Sequence, residues 1–186
     1  MAFQRDVFDS QKTETRVSEE FDSIFLDNWS KIYGLLHRLV GDPSEAEDLA
    51  LETFLKLYRN FPGEVEQNIG GWLYRVATHL GLNAIRDWTR RQKYELQAGK
   101  LDWMEYNHNS PAEIFAQEEE RRCVSKILSQ MNTRQALLLT LRYSGKTYKE
   151  IAETLGVKPT SIGPLLVRAE ADFEKRFCAT EGEGER

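Results

Sequence analysis

Thr147-Tyr148-Lys149-Glu150-Ile151-Ala152-Glu153-Thr154-Leu155-Gly156-Val157, followed by Ile162 and Leu165, is the stretch on which the fold turns. Thr147 and Glu150 have the spacing of a capping box, in which each side chain satisfies a backbone donor near the other. Ala152 is small where two helices cross closely, Gly156 supplies the turn, and Val157, Ile162 and Leu165 close the core. Any one of these would suit an ordinary αα-hairpin. All four at the right mutual spacing predict a helix-turn-helix that reads DNA.

Local charge agrees. Residues 142–168 carry Arg142, Lys146, Lys149, Lys158 and Arg168 against Glu150 and Glu153. Around the motif, apolar residues recur at helical spacing, predicting helices over 113–131, 133–143, 147–155 and from about 160 to 177. Upstream, residues 95–112 hold Gly99, Asn107, Asn109, Ser110 and Pro111 with poor periodicity, so they read as an inter-domain linker.

A second helical unit precedes the linker. Phe21, Phe25, Trp29, Ile32, Tyr33 and Leu36 mark an amphipathic helix that stops at Gly41. Asp42-Pro43-Ser44-Glu45 restarts the chain with a cap, a proline suited to the first helical position and an acid at the third. That helix, ending near Asn60, buries Ala46, Leu49, Ala50, Phe54 and Leu57. It carries a second stripe on its far side, Asp48, Leu51, Glu52 and Leu55, where leucines flanked by acids suggest a docking surface. Prolyl and glycyl residues make 61–71 a loop, and a third helix starts near Trp72 and runs to a basic end at Arg90-Arg91-Gln92-Lys93. Residues 68–94 hold Arg75, Arg86, Arg90, Arg91 and Lys93 against the single acid Asp87.

The expected fold class is therefore all-α: two small helical domains joined by a flexible linker, the C-terminal one a helix-turn-helix. The expected boundaries are a flexible arm over 1–18, a first domain over 19–94, the linker over 95–112, a second domain over 113–178 and a flexible tail over 179–186.

Composition narrows the function. The 186 residues carry a formal charge of −5, 40% hydrophobic and 30% charged residues, and a mean hydropathy of −0.57, as in a globular chain with a polar surface. Apolar runs fall far short of a membrane span and the N-terminus lacks an apolar leader core, so a cytoplasmic protein is expected. Cys123 and Cys178 have no neighbouring Cys or His at metal-ligand spacing. No phosphate-cradling glycine loop and no nucleophile-base pair is recognisable, so no catalytic residue, metal or cofactor is expected.

From about residue 21 to 177 the chain resembles the extracytoplasmic-function sigma factors of bacterial RNA polymerase. Glu47-Asp48-Leu49-Ala50-Leu51-Glu52-Thr53-Phe54 is similar to that family's acidic helix, and Trp72-Leu73-Tyr74-Arg75-Val76-Ala77, Arg90-Arg91 and the helix-turn-helix follow in the family's order. The resemblance implies that the first domain binds the polymerase clamp through Asp48, Leu51, Glu52 and Leu55. It would open the −10 promoter element with Arg75, Asn83, Arg86, Arg90, Arg91 and Lys93. The second domain would read the −35 element with Lys149, Lys158, Thr160, Ser161 and Arg168. Implied partners are core RNA polymerase, at its clamp and flap, and promoter DNA, with room for an anti-sigma regulator; chemistry belongs to the core enzyme.

Several positions depart from the family pattern. His79 stands where Asn is frequent, Asn83 where Asp is, and Leu51 where Gln is. Gly163-Pro164-Leu165 replaces a basic run, and Glu170 stands where Arg often follows Arg168-Ala169, which removes cations from the reading helix. Pro164 lacks a backbone donor, so it must kink that helix or lie in its first turn. These departures keep two alternatives in view. One is an adaptor or sequestered decoy that keeps polymerase or regulator contacts without promoter reading; the other is a dimeric helix-turn-helix repressor.

Overall fold

The computed structural model describes residues 3–60, 68–97 and 112–184, and the described residues are helical with no strand. The helices are α1 (Phe3–Val40), α2 (Pro43–Asn60), α3 (Ile69–Gln97), α4 (Ala112–Gln130), α5 (Thr133–Tyr143), α6 (Tyr148–Leu155) and α7 (Ile162–Gly184), with a 3-10 turn over Pro159–Ser161 before α7.

The first three helices share a core of Ile32, Leu36, Phe54, Leu57, Leu73, Ala77 and Leu82, all of them almost fully buried. Burying each of the larger of these side chains, the isoleucine, leucines and phenylalanine, contributes about 1.5–3 kcal/mol. Phe25 packs its ring 4.7 Å from that of Phe54, so the aromatic stripe of α1 faces α2 as its spacing predicts. The helix restart is local chemistry: Gly41 adopts φ 83, and the Glu45 N–H donates to Asp42 Oδ1 at 2.7 Å. The second core gathers Ile127, Leu138, Leu141, Ile151, Ile162 and Leu166 from α4, α5, α6 and α7.

Helix ends differ from the expected ones. The N-terminal arm expected over 1–18 is helical from Phe3 onward, because no glycine or proline interrupts it before Gly41 and each added residue closes one more backbone bond. By the same propagation α3 runs to Gln97 and α7 to Gly184, so the linker loses its first residues to one helix and the tail most of its length to the other. Residues 98–111 of the expected linker lie outside the described residues. Helix α3 begins at Ile69, earlier than Trp72: the Gly71 N–H donates to Asn68 Oδ1 at 2.8 Å, so Asn68 caps a first turn that Gly70 and Gly71 join.

The two halves meet along α3, which touches α1 and α2 on one side and α4, α5 and α6 on the other. Beside this joint, α1 faces α4, α5 and α7 across a cavity of about 720 Å³ lined by Leu35, Leu39, Val124, Leu128 and Phe173, among others.

Candidate nucleic-acid interface

The helix-turn-helix is built as its sequence spacing requires. The Thr147 N–H donates to Glu150 Oε2 at 2.8 Å and the Glu150 N–H to Thr147 Oγ1 at 3.3 Å, a complete capping box. Gly156 ends α6 in the left-handed region at φ 66, and its N–H returns to the last turn. Ala152 and Ile162 are buried and Val157 and Leu165 half-buried between the crossing helices. Pro164 occupies the third position of α7, within the first turn, where a missing N–H breaks no helical bond.

Most of the side chains expected to read DNA here are exposed. Lys149 is exposed on α6, Lys158 and Thr160 are exposed at the 3-10 turn with Ser161 half-buried beside them, and Arg168 is exposed two turns into α7. Glu170 is exposed as well.

On α3 the expected cations divide into two groups. Arg90 and Arg91 are exposed, Arg90 in a surface pair with Asp87 at 2.9 Å, and Trp88 and Tyr94 are exposed close by. Arg75, also exposed, and the half-buried Arg86 reach in addition to the second half of the molecule. Arg75 Nη2 donates to the Thr154 carbonyl, while Arg86 Nε donates to the Ser129 carbonyl at 2.6 Å and its Nη1 to Asn83 Oδ1 at 3.0 Å. The side chain of Lys93 lies outside the described residues. Trp72 is half-buried against the core, and His79 is exposed.

The acidic helix α2 presents Asp48, Leu51, Glu52 and Leu55 to solvent as a continuous stripe, with Leu51 49% and Leu55 46% exposed. Tyr58, 58% exposed, extends the patch by nearly a turn, a residue the periodicity did not single out. Sequence reasoning also passed over Arg121, whose Nη1 lies 3.4 Å from the Leu39 carbonyl, and counted Lys146 only as local charge, whereas its Nζ sits 5.0 Å from the centre of the Tyr74 ring. Among the described residues there is no cluster of three or more His, Cys, Asp or Glu able to hold a metal, and no helix is long and apolar enough to cross a membrane.

Both halves match known families in this order. Residues 24–93 match the model described as Sigma-70 region 2, and residues 121–172 that described as Sigma-70, region 4. The RNA polymerase sigma-H factor of Pseudomonas aeruginosa is 30% identical over 165 residues, covering 83% of this chain and 84% of that protein. The ECF RNA polymerase sigma factor SigE of Mycolicibacterium smegmatis is 27% identical over 155 residues, 82% of this chain and 59% of that protein. The chain belongs to the extracytoplasmic-function sigma factors.

This class of subunit directs RNA polymerase to promoters. A co-crystal structure of the sigma factor RpoE with the anti-sigma factor NepR from Bartonella quintana aligns with 85% of this sigma factor and 96% of that chain, at 20% identity and a TM-score of 0.48. The sigma factor's region 2 match takes in α2, most of α3 and the C-terminal part of α1. Its region 4 match runs from α4 into α7, so the contacts of Arg75, Arg86 and Arg121 join region 2 to region 4.

Proposed function

We propose that this sigma factor binds core RNA polymerase in the cytoplasm and directs promoter-specific initiation, contributing no catalytic chemistry of its own. The observation that carries the reading is the pairing of two exposed surfaces at opposite ends of the chain. One is the leucine-acid stripe of α2 and the other the exposed Lys149, Lys158, Thr160 and Arg168 of the helix-turn-helix, each inside its own family match.

The stripe of Asp48, Leu51, Glu52 and Leu55 supplies an apolar contact ringed by acids for the polymerase clamp. Helix α3 meets the −10 element: Arg75, Arg86, Arg90, Arg91 and Lys93 neutralise phosphates, and Asn83 offers a hydrogen-bonding side chain to a freed base. Lys158, Thr160 and Ser161 read base edges in the −35 element, and Lys149 and Arg168 hold its backbone. With Pro164 and Glu170 on α7, few cations follow Arg168, so −35 binding rests on this short edge. An anti-sigma regulator remains an expectation of the resemblance.

Run-off transcription by core polymerase on genomic promoter fragments, with and without the protein across a salt series, tests the reading. Discrete new start sites are expected, and Arg90→Ala/Arg91→Ala abolishes them. Co-elution with core polymerase without start sites leaves an adaptor, and failure to co-elute ends the sigma reading for this chain.

A further inference from the structure

Val167 is 66% exposed in the second turn of α7, an uneconomical place for valine. A β-branched side chain lowers helix propensity, a loss that burial of its methyl groups can offset, and here those methyl groups lie in water. Single exposed apolar residues are common on any protein surface. What sets this one apart is the face it belongs to and the ligand that face meets.

Ile162, Leu166 and Ala169 are buried and Phe173 is half-buried, so these residues define the core side of α7. Val167 stands one residue beyond Leu166, about 100° further round the helix. Pro164, Arg168 and Ala171 are exposed beside it at neighbouring helical positions. This is the side of α7 that the core leaves open, and the 3-10 turn bearing Thr160 and Ser161 leads directly into the helix. In a helix-turn-helix the N-terminal residues of the second helix meet base edges in the major groove. A groove that takes Thr160 and Ser161 therefore also meets the first turns of α7.

The chemistry of that face is mostly apolar. From Ile162 to Glu174 the single cation is Arg168, Gly163 has no side chain, and Pro164 has no N–H to give. The major groove presents hydrogen-bonding groups at every base pair but one kind of apolar group, the C5 methyl of thymine. A valine set against guanine or cytosine would strip water from polar base edges and return no hydrogen bond. Against a thymine methyl it removes apolar surface from water on both partners.

We propose that Val167 is a specificity-determining residue of the −35 contact: its isopropyl group packs on the C5 methyl of a thymine, and promoters used by this chain carry a T·A pair beneath it. The proposal rests on the sigma-factor reading above and deepens it. The departures at Gly163 and Pro164 then change the kind of base that is rewarded, from one that offers acceptors to one that offers a methyl group.

The test uses polymerase reconstituted with the full chain and duplex fragments of promoters located by run-off transcription. Each thymine of the −35 element is replaced in turn by deoxyuridine, which lacks the C5 methyl and keeps its pairing, and binding is read by competition. One such replacement is expected to weaken binding about fourfold, the worth of one buried methylene-sized group. Val167→Ala is expected to weaken binding to the unmodified promoter by a similar factor and to be indifferent to deoxyuridine at that position, so that the two losses do not add. Alanine is the better helix former and the site is exposed, so the urea midpoint of the variant should be no lower than that of the unsubstituted chain.

A deoxyuridine effect of equal size in both proteins comes from the DNA alone and overturns the assignment. So do promoters in which no −35 thymine responds. In either case the start sites themselves keep the sigma reading intact, whereas their absence removes that reading and the role of Val167 together.

Discussion

Thr147 and Glu150 hold each other three times, through the Thr147 N–H and the Thr147 hydroxyl on Glu150 Oε2 and the Glu150 N–H on Thr147 Oγ1, and Lys146 Nζ adds a contact to Glu150 Oε1 at 3.1 Å. The Thr147 backbone bond, then its hydroxyl and Lys146, hold the Glu150 carboxyl down from 4.5 to about 2. The folded state therefore favours the carboxylate. Its contribution is present in full above the unfolded value and is lost as pH falls toward about 2. Glu150→Gln should lower the urea midpoint at neutral pH, with the gap to the unsubstituted protein closing across that acid range. A gap that stays constant with pH would show that the box is not what depresses this group.

Gly156 and Gly163 should respond oppositely to alanine. Gly156 sits at φ 66, where a Cβ costs about 1–2 kcal/mol. Gly163 lies in the first turn of α7 with open space where an alanine methyl would sit, so Gly163→Ala should gain about 0.4–1 kcal/mol. Chemical denaturation of the two variants checks the contrast, and destabilisation by both would contradict it.

The hydroxyl of Thr78 is buried in α3 with no hydrogen-bond partner among the described residues. Thr78→Val keeps the shape and removes an unsatisfied polar atom, so it should stabilise the protein by about 1 kcal/mol or more. A lowered denaturation midpoint would mean that the hydroxyl has a partner in solution.

Leu51→Lys/Leu55→Lys changes two side chains that are about half exposed on α2. The urea midpoint should move by no more than about 0.5 kcal/mol equivalent. Co-elution with core polymerase should be lost. Retained co-elution would move the docking surface away from this stripe.

Lys158 and Arg168 carry different burdens under the proposed −35 contact. Arg168→Ala, removing a phosphate contact, should reduce the salt slope of promoter binding by about 1 and weaken all promoters alike. Lys158→Ala should relax sequence preference at one position. Binding isotherms of polymerase reconstituted with each variant, over a salt series and a panel of single-base promoter changes, separate the two.

Much of this architecture is local, and local features are legible in a sequence. The Thr147–Glu150 box, the Gly156 turn, the Asp42 cap and the α1 apolar stripe each depend on residues within one or two turns of one another. Asn68 escaped notice because Gly70-Gly71 resembles loop punctuation, although a cap three residues before a glycine can start a helix as well. The partners of Arg75, Arg86 and Arg121 lie 79, 43 and 82 residues away and are backbone carbonyls, which no side-chain pattern announces. A count of basic residues therefore placed Arg75 and Arg86 with Arg90 and Arg91, whereas their bonds divide them.

Pro159 opens the 3-10 turn and Pro164 lies in the first turn of α7, on either side of Thr160 and Ser161. Both rings fix φ in the unfolded chain as well as in the folded one, so little freedom is left to lose along this edge. A reading edge that arrives already ordered gives up little entropy on meeting a groove. What α7 forgoes in positive charge at Gly163, Pro164 and Glu170 is thus partly offset by stiffness, and its hold on DNA should depend more on shape, and less on salt, than that of a basic, flexible helix start.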